Sequence, residues 1–150
     1  LVPEIGVDPP LSLAVARQES TYRPARTSHA GAQGVMQVMP DTANWLAKVD
    51  PRIEAKDAQN LNRPPHSLRL GAVYLNRMLE KYNGNVVYAT AAYNGGPGNC
   101  DKWIKRFQGS TTAEFIESIP FNETQNYVKR VLANYMTYYS VYPPTTDTGD

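Results

Sequence analysis

The chain has 150 residues, 41% apolar and 19% charged, which suits one folded domain with a single real core and excludes a disordered polar tract. Fifteen basic side chains against fourteen acidic nearly cancel, and no basic run exceeds two residues, so nothing marks a nucleic-acid face. The single cysteine excludes an internal disulfide and a multi-cysteine metal site, and no apolar run nears the roughly 20 residues of a membrane span.

Leu1 to about residue 7 reads as a linker, residues 8–142 as the domain, and 143–150, with Pro143-Pro144 and the TTDTGD end, as a disordered tail. Asp8 followed by Pro9 starts a helix: a capping carboxylate, then a proline where no amide hydrogen is needed. Leu11, Ala14, Val15 and Gln18 recur at helical spacing, and Pro24 forces the chain out of helix by about Arg23. A small-residue loop (Ser28, Ala30, Gly31, Ala32, Gly34) follows, and the 28–38 region is the one place for a small hairpin. Pro40-Asp41-Thr42 opens a short helix carrying Trp45 and Leu46.

Residues 50–65 read as turn-rich ordered loop. Ser67 is expected to cap the clearest helix, in which Leu68, Gly71, Ala72, Leu75, Met78, Leu79 and Tyr82 keep the rhythm of one apolar face until Gly84 ends it. Asn85 starts a helix over Val86–Asn94, apolar almost all round and therefore central, and Gly95-Gly96-Pro97-Gly98 breaks it. A short helix is expected from Asp101 to Phe107, and a further turn capped by Thr111 or Thr112 runs through Phe115 and Ile116 to a stop at Pro120. Asn122 and Gln125 have the spacing of a capping box before a last helix striped by Tyr127, Val131, Leu132, Tyr135 and Tyr138 or Tyr139. The fold class expected is mainly α, with at most a very small β element. Trp45 and Trp103 are assigned to the core. Ten tyrosines and two tryptophans supply flat amphipathic rings that suit sugar faces as well as cores.

Glu19 is the candidate for chemistry. On a helix, Leu11, Ser12, Val15 and Ala16 lie beside or below it, so Glu19 extends the apolar stripe and not the wet face. Desolvation there would raise its pKa, and the negative pole of the helix end adds a smaller push. A carboxylic acid kept protonated near neutral pH is what protonation of a glycosidic oxygen requires. The competing reading is a solvated helix-end residue paired with Arg23 or Arg26.

A glycosidase normally needs two carboxylates about 5–9.5 Å apart, and the remaining acids have ordinary explanations. Asp8 and Asp41 read as caps, Asp50 precedes a proline turn, Glu54 and Asp57 sit in a polar loop, and Glu80 faces solvent. Glu117 and Glu123 flank the Ile119-Pro120-Phe121 corner within reach of a groove. His29 and His66 lack metal-ligand spacing, no serine sits in G-x-S-x-G, and the Gly95–Gly98 loop follows a helix where a phosphate cradle follows a strand. Cys100 reads as a small half-buried residue. No metal and no cofactor is expected.

Four segments in register carry a specific resemblance. They are Glu19-Ser20 with Pro24 five residues after the acid; S-x-x-G-A-x-G-V-M-Q-V-M-P; A-A-Y-N-G-G-P-G; and E-S-I-P-F-N-E-T-x-x-Y-V. In order and spacing, from about Leu11 to Tyr139, they resemble the soluble lytic transglycosylases that cut peptidoglycan. Val35 stands where that family more often has Leu, and Gly95 where it often has Ala. The resemblance implies a lysozyme-like fold and one catalytic acid, Glu19, which accounts for the missing second carboxylate. It implies that Glu19 protonates the oxygen between N-acetylmuramic acid and N-acetylglucosamine and then takes the proton of the sugar's C6 hydroxyl, leaving a 1,6-anhydromuramyl end without water. Ser28, Gln37 and Met39 would line the groove at the cut, and Tyr93 and Tyr127 would be active-site tyrosines. Tyr74 and Ala92 would bound the sugar cleft, and Glu123 would face the stem peptide. The implied partners are peptidoglycan glycan strands and stem peptides, and the implied location is the bacterial cell envelope, periplasmic or exported. A same-fold muramidase using water and a non-catalytic peptidoglycan-binding module are the alternatives.

Overall fold

Proline placement sets where half of the described helices begin. A computed structural model of the chain describes residues 9–20 and 36–141; at 9, 10, 13 and 18–20 the description reaches the backbone alone. Eight helices form among the described residues: α1 Pro9–Ser20, α2 Pro40–Val49, α3 Ala55–Ala58, α4 Pro64–Lys81, α5 Val86–Gly95, α6 Pro97–Arg106, α7 Thr112–Ser118 and α8 Asn122–Val141. Four of them open on proline, whose fixed φ and missing N–H suit the first turn. Asn85 and Thr111 cap α5 and α7, their side chains accepting the N–H groups of Tyr88 and Glu114.

The fold is mainly α as expected, and no strand forms among the described residues. Val38 makes a lone β-bridge, and residues 28–35 of the possible hairpin lie outside the described residues. So do the linker at 1–7, the Asp8 cap, the exit at Pro24 and the tail at 143–150.

Four element boundaries differ from the sequence reading. Helix α4 starts three residues before Ser67, at the Pro64-Pro65 pair, so Ser67 is a buried residue inside the helix and caps nothing. Helix α6 begins at Pro97, because the break occupies only Gly96, whose φ of 88° is open to glycine without strain. The turn-rich stretch contains α3, stapled by a reciprocal capping box between Glu54 and Asp57. Asn122 and Gln125 form no such box. The Gln125 amide instead donates to the carbonyls of Ile116 and Glu117, tying α8 to the end of α7.

Helix α5 sits at the centre. Val87, Ala89, Thr90, Ala91 and Ala92 are buried, and their small size lets α4, α6 and α8 pack closely around it. Thr90, the polar member, donates its hydroxyl to the carbonyls of Val86 and Val87 and so leaves no unsatisfied group there. Leu46, Leu70 and Leu75 are fully enclosed, each contributing roughly 1.5–3 kcal/mol by burial. Helix α1 lies along α8 and touches α4. Its Leu11, Ser12, Val15 and Ala16 are all buried, and position 19 continues their helical register one turn on.

Two acids assigned to plain turn and loop positions are buried. Asp50 accepts from Arg52 Nε and Nη2, at 3.0 and 2.9 Å, and from Arg77 Nε at 2.9 Å, while Arg52 Nη1 reaches Asn76 at 2.9 Å. Asp57 Oδ1 lies 2.7 Å from His66 Nδ1. Charged residues in a turn-rich stretch are ordinarily solvated; here neighbouring Arg52 and distant Arg77 hold Asp50, and His66 holds Asp57, which makes burial tolerable. Cys100 is completely buried, beyond the half-burial expected, with its Sγ 3.4 Å from the Tyr88 carbonyl. Trp103 joins the core, but Trp45 does not: it is 46% exposed.

Candidate active site

Met36 is where the loop segment meets the helical core. Its N–H donates to the Ser67 hydroxyl at 3.1 Å, and the Tyr93 hydroxyl donates to its carbonyl at 2.8 Å. Its side chain occupies a notch on α4 that exists because residue 71 is glycine. A Cβ at Gly71 would stand 2.4–2.7 Å from Met36 side-chain atoms, far inside van der Waals contact. Three holds from two helices thus fix one residue, and the next residue bears the consequence. Gln37 takes a φ of 47°, a left-handed conformation that costs a non-glycine residue about 1–2 kcal/mol. The clamp on Met36 is what keeps the backbone there.

Beyond the clamp lies an open cleft of about 320 Å³. Among the described residues, Gln37, Val38, Met39 and Thr42 line one side and Tyr93, Asn94, Gly95 and Gly96 the other, with Tyr74 between them. None of these side chains is charged. Met39 is 38% exposed, an apolar surface offered to the cleft. The rings of Tyr74 and Tyr93 meet at a tilt, centroids 5.2 Å apart. Their hydroxyls differ in role. Tyr93 commits its proton to Met36 and keeps only accepting capacity, whereas the Tyr74 hydroxyl has no hydrogen-bond partner among the described residues. Burial raises the Tyr74 pKa, so the group stays a neutral donor.

The far wall is also held from behind. Thr124 on α8 donates to the Asn94 side-chain oxygen at 2.8 Å, and Asn99 donates to the Gly95 carbonyl at 2.8 Å. A Cβ on Gly95 would come within 2.8 Å of the Trp103 indole, so the close approach of that ring requires glycine.

The structure brings four of the expected site residues to the cleft: Gln37, Met39, Tyr74 and Tyr93. Ala92 is fully buried one residue behind the wall and is not part of the lining; its carbonyl accepts the Gly96 N–H at 2.9 Å and closes α5. Tyr127 is buried on α8, and Glu123 is exposed in the first turn of α8; neither belongs to the lining. Ser28 and the side chain of Glu19 lie outside the described residues. Among the described residues no three His, Cys, Asp or Glu side chains come together as a metal site would need.

Thr42, Asn94 and Gly96 line the cleft without having been singled out, and Ser67 and Gly71 support it. Asn94 sits inside the A-A-Y-N motif beside Tyr93, and an isolated glycine within a strong helical pattern, such as Gly71, signals a close packing contact. Nothing local distinguishes Thr42.

Residues 4–116 match the Transglycosylase SLT domain family. The chain belongs to that family. This SLT domain is 40% identical over 129 residues to the soluble lytic murein transglycosylase of Salmonella typhimurium, covering 85% of the chain and 20% of the relative. The soluble lytic murein transglycosylase of Escherichia coli K12 gives the same figures. The SLT domain therefore spans about a fifth of the length of these curated relatives.

Among solved structures, the domain superposes with a TM-score of 0.87 on the lytic transglycosylase Slt of Pseudomonas aeruginosa, solved as an inactive Glu-to-Gln mutant. That match is 37% identical and covers 93% of this chain and 22% of the other. A 70 kDa soluble lytic transglycosylase solved in complex with bulgecin A matches at 34% identity and a TM-score of 0.76, over 91% of this chain and 22% of that one. The fold is thus the helical, lysozyme-like fold of the SLT domain.

Proposed function

We infer that this domain is a peptidoglycan lytic transglycosylase, cleaving the β-1,4 bond from N-acetylmuramic acid to N-acetylglucosamine without water. The observation that carries the reading is a cleft whose described lining is uncharged, made of aromatic, amide and hydroxyl groups, on a chain of the SLT family. Neutral sugars with flat C–H faces and many hydroxyls are the ligand such a lining suits. The names of the relatives support it, and so does a solved neighbour inactive as a Glu-to-Gln mutant.

In this mechanism Glu19 begins protonated and gives its proton to the bridging oxygen as the C1–O bond breaks. The neighbouring acetamido group of the muramyl sugar stabilises the cationic C1 from within the substrate. The Glu19 carboxylate then takes the proton of the C6 hydroxyl while that oxygen bonds to C1, and the acid is restored. A 1,6-anhydromuramyl end and a free hydroxyl on the leaving sugar result, with no water consumed. No second protein carboxylate is needed, a substrate-assisted exception to the paired-acid rule.

Gln37 and Tyr74 are assigned to hold sugar hydroxyls or carbonyls, Met39 to supply an apolar wall, and Tyr93 to accept a hydrogen bond while keeping the clamp closed. Ser28 is assigned to the acetamido group, Ala92 to the backing of the wall, Tyr127 to the interior side of the site and Glu123 to the stem peptide. Such a substrate places the domain's work in the bacterial cell envelope, on the periplasmic or exported side. Among the described residues no helix is long and apolar enough to cross a membrane. Relatives carry both soluble and membrane-bound names.

Digestion of purified sacculi, with product ends read by mass spectrometry, tests the reaction. Anhydro ends are expected. Ends heavier by one water would make the domain a muramidase, and intact sacculi with bound protein would make it a binding module.

A further inference from the structure

The two helices that bring Thr42 and Tyr74 to the cleft continue past its lining. One helical turn beyond Thr42 on α2 is Trp45, and one turn beyond Tyr74 on α4 is Arg77. The two meet, with the Arg77 guanidinium carbon 5.2 Å from the centroid of the Trp45 ring. Arg77 is itself fixed: Nε donates to Asp50 at 2.9 Å and Nη2 to the Val49 carbonyl at 3.3 Å. Asp50 is buried and also gripped by Arg52, so the cation under the indole is anchored to the core.

Trp45 nevertheless keeps 46% of its surface exposed, and Val49, a turn further along α2, is exposed beside it. An indole recruited only for packing would be enclosed like Trp103. Here a held cation backs one face and sets the ring's orientation, leaving the remainder open one helical turn from a cleft whose described lining is uncharged.

We propose that Trp45 is a stacking platform for a sugar ring of a glycan strand, extending the cleft by one saccharide past the Thr42 and Tyr74 wall. This rests on the glycan reading given above. A pyranose presents a patch of C–H groups to an aromatic face, and a rigid indole binds it at little entropic cost. A polymer held only in a hollow of about 320 Å³ would trail into solvent, so a further platform favours strands over fragments. Arg77 is the backing and not the ligand group, since two of its nitrogens are already engaged by Asp50 and Val49.

The test uses uncross-linked glycan strands fractionated by length, titrated calorimetrically into the Glu19→Gln protein with Trp45 intact, as Trp45→Ala and as Trp45→Phe. Turnover of the same strands is followed in the active protein. The Trp45→Ala change should weaken binding of long strands, and raise their KM, by about threefold to tenfold. It should leave the shortest strands, kcat and the melting temperature unchanged, and Trp45→Phe should recover most of the loss. Equal affinity at every length would overturn the platform, and so would a uniform weakening at all lengths. Wild-type protein that binds strands but never cuts them would remove the lyase reading alone, because the length dependence in the titration still decides Trp45. Absence of any strand binding would remove both.

Discussion

Two hollows on this domain are of similar size and opposite chemistry. The cleft at Gln37, Tyr74 and Tyr93 is about 320 Å³ and, among the described residues, is lined by no charged side chain. A second hollow of about 210 Å³ is lined mainly by Arg52, Glu54, Lys56, Asp57, His66 and Arg69. Most of those charges answer one another, through Asp57 with His66, Lys56 with Glu54, and Arg52 with Asp50 just behind the rim. The charged hollow is a place where the fold neutralises itself. The first offers a tyrosine hydroxyl unengaged among the described residues, an exposed methionine and a backbone held in a costly conformation, which are features of a site kept ready for a neutral ligand. Charge density alone would have pointed to the wrong hollow.

Breaking each region should therefore cost different things. The largest loss of stability is expected from Asp50→Ala, which strands two arginines: about 3–5 kcal/mol by urea denaturation. Hydrogen bonds from Arg52, helped by Arg77, hold the Asp50 carboxyl well below the usual carboxylate range against the opposing effect of burial. Its folded pKa lies below its unfolded value. The stabilisation is therefore complete above the ordinary value of about 4 and fades as pH falls below that point toward the folded value. Asp50→Ala should flatten this acid-side slope; an unchanged slope would show that the network contributes nothing to acid resistance.

Gly71→Ala comes next. Its methyl must displace Met36, at a cost of about 1–3 kcal/mol. Unlike Asp50→Ala, it should depress turnover in the surviving folded protein, because Gln37 loses its placement. Full turnover in a folded Gly71→Ala protein would separate the clamp from function. Tyr93→Phe removes one hydrogen bond to Met36, worth about 1 kcal/mol, and should lower both stability and turnover. Tyr74→Phe is the sharper probe, since its hydroxyl binds nothing among the described residues: KM should rise with stability untouched. The smallest effect concerns Cys100. Burial pushes its thiol up to about 11, so alkylating reagents near pH 8 should modify it only after unfolding.

The helical class and the central place of α5 were legible because apolar periodicity and proline or glycine punctuation are local signals. The helix start at Asn85 and a cap at Thr111 or Thr112, of which Thr111 serves, were legible for the same reason. What failed was anything decided by a distant partner. Ser67 looked like a cap because serine favours caps, yet its hydroxyl serves the Met36 N–H from inside α4. Asp50 and Asp57 looked solvated because no local pattern announces that Arg77 and His66 will reach them. Trp45 looked like core because most tryptophans are, and only the fold places Arg77 beneath it.

Of the cleft, Gln37, Met39 and Tyr93 were legible because they fall inside the motifs, and Tyr74 only through the family resemblance. Thr42 was not, because its role comes from where α2 lies. Gln125 shows the same limit at a boundary: its spacing from Asn122 mimics a capping box, while its amide in fact binds the end of α7.

The central claim is that one acid, working beside the cleft at Gln37, Tyr74 and Tyr93, performs the cleavage. Dye release from labelled cell wall by the wild type and by Glu19→Gln tests it most directly. The account predicts a fall of about a hundredfold or more in the variant, with melting temperature and cell-wall binding retained. Release by Glu19→Gln at the wild-type rate would contradict it.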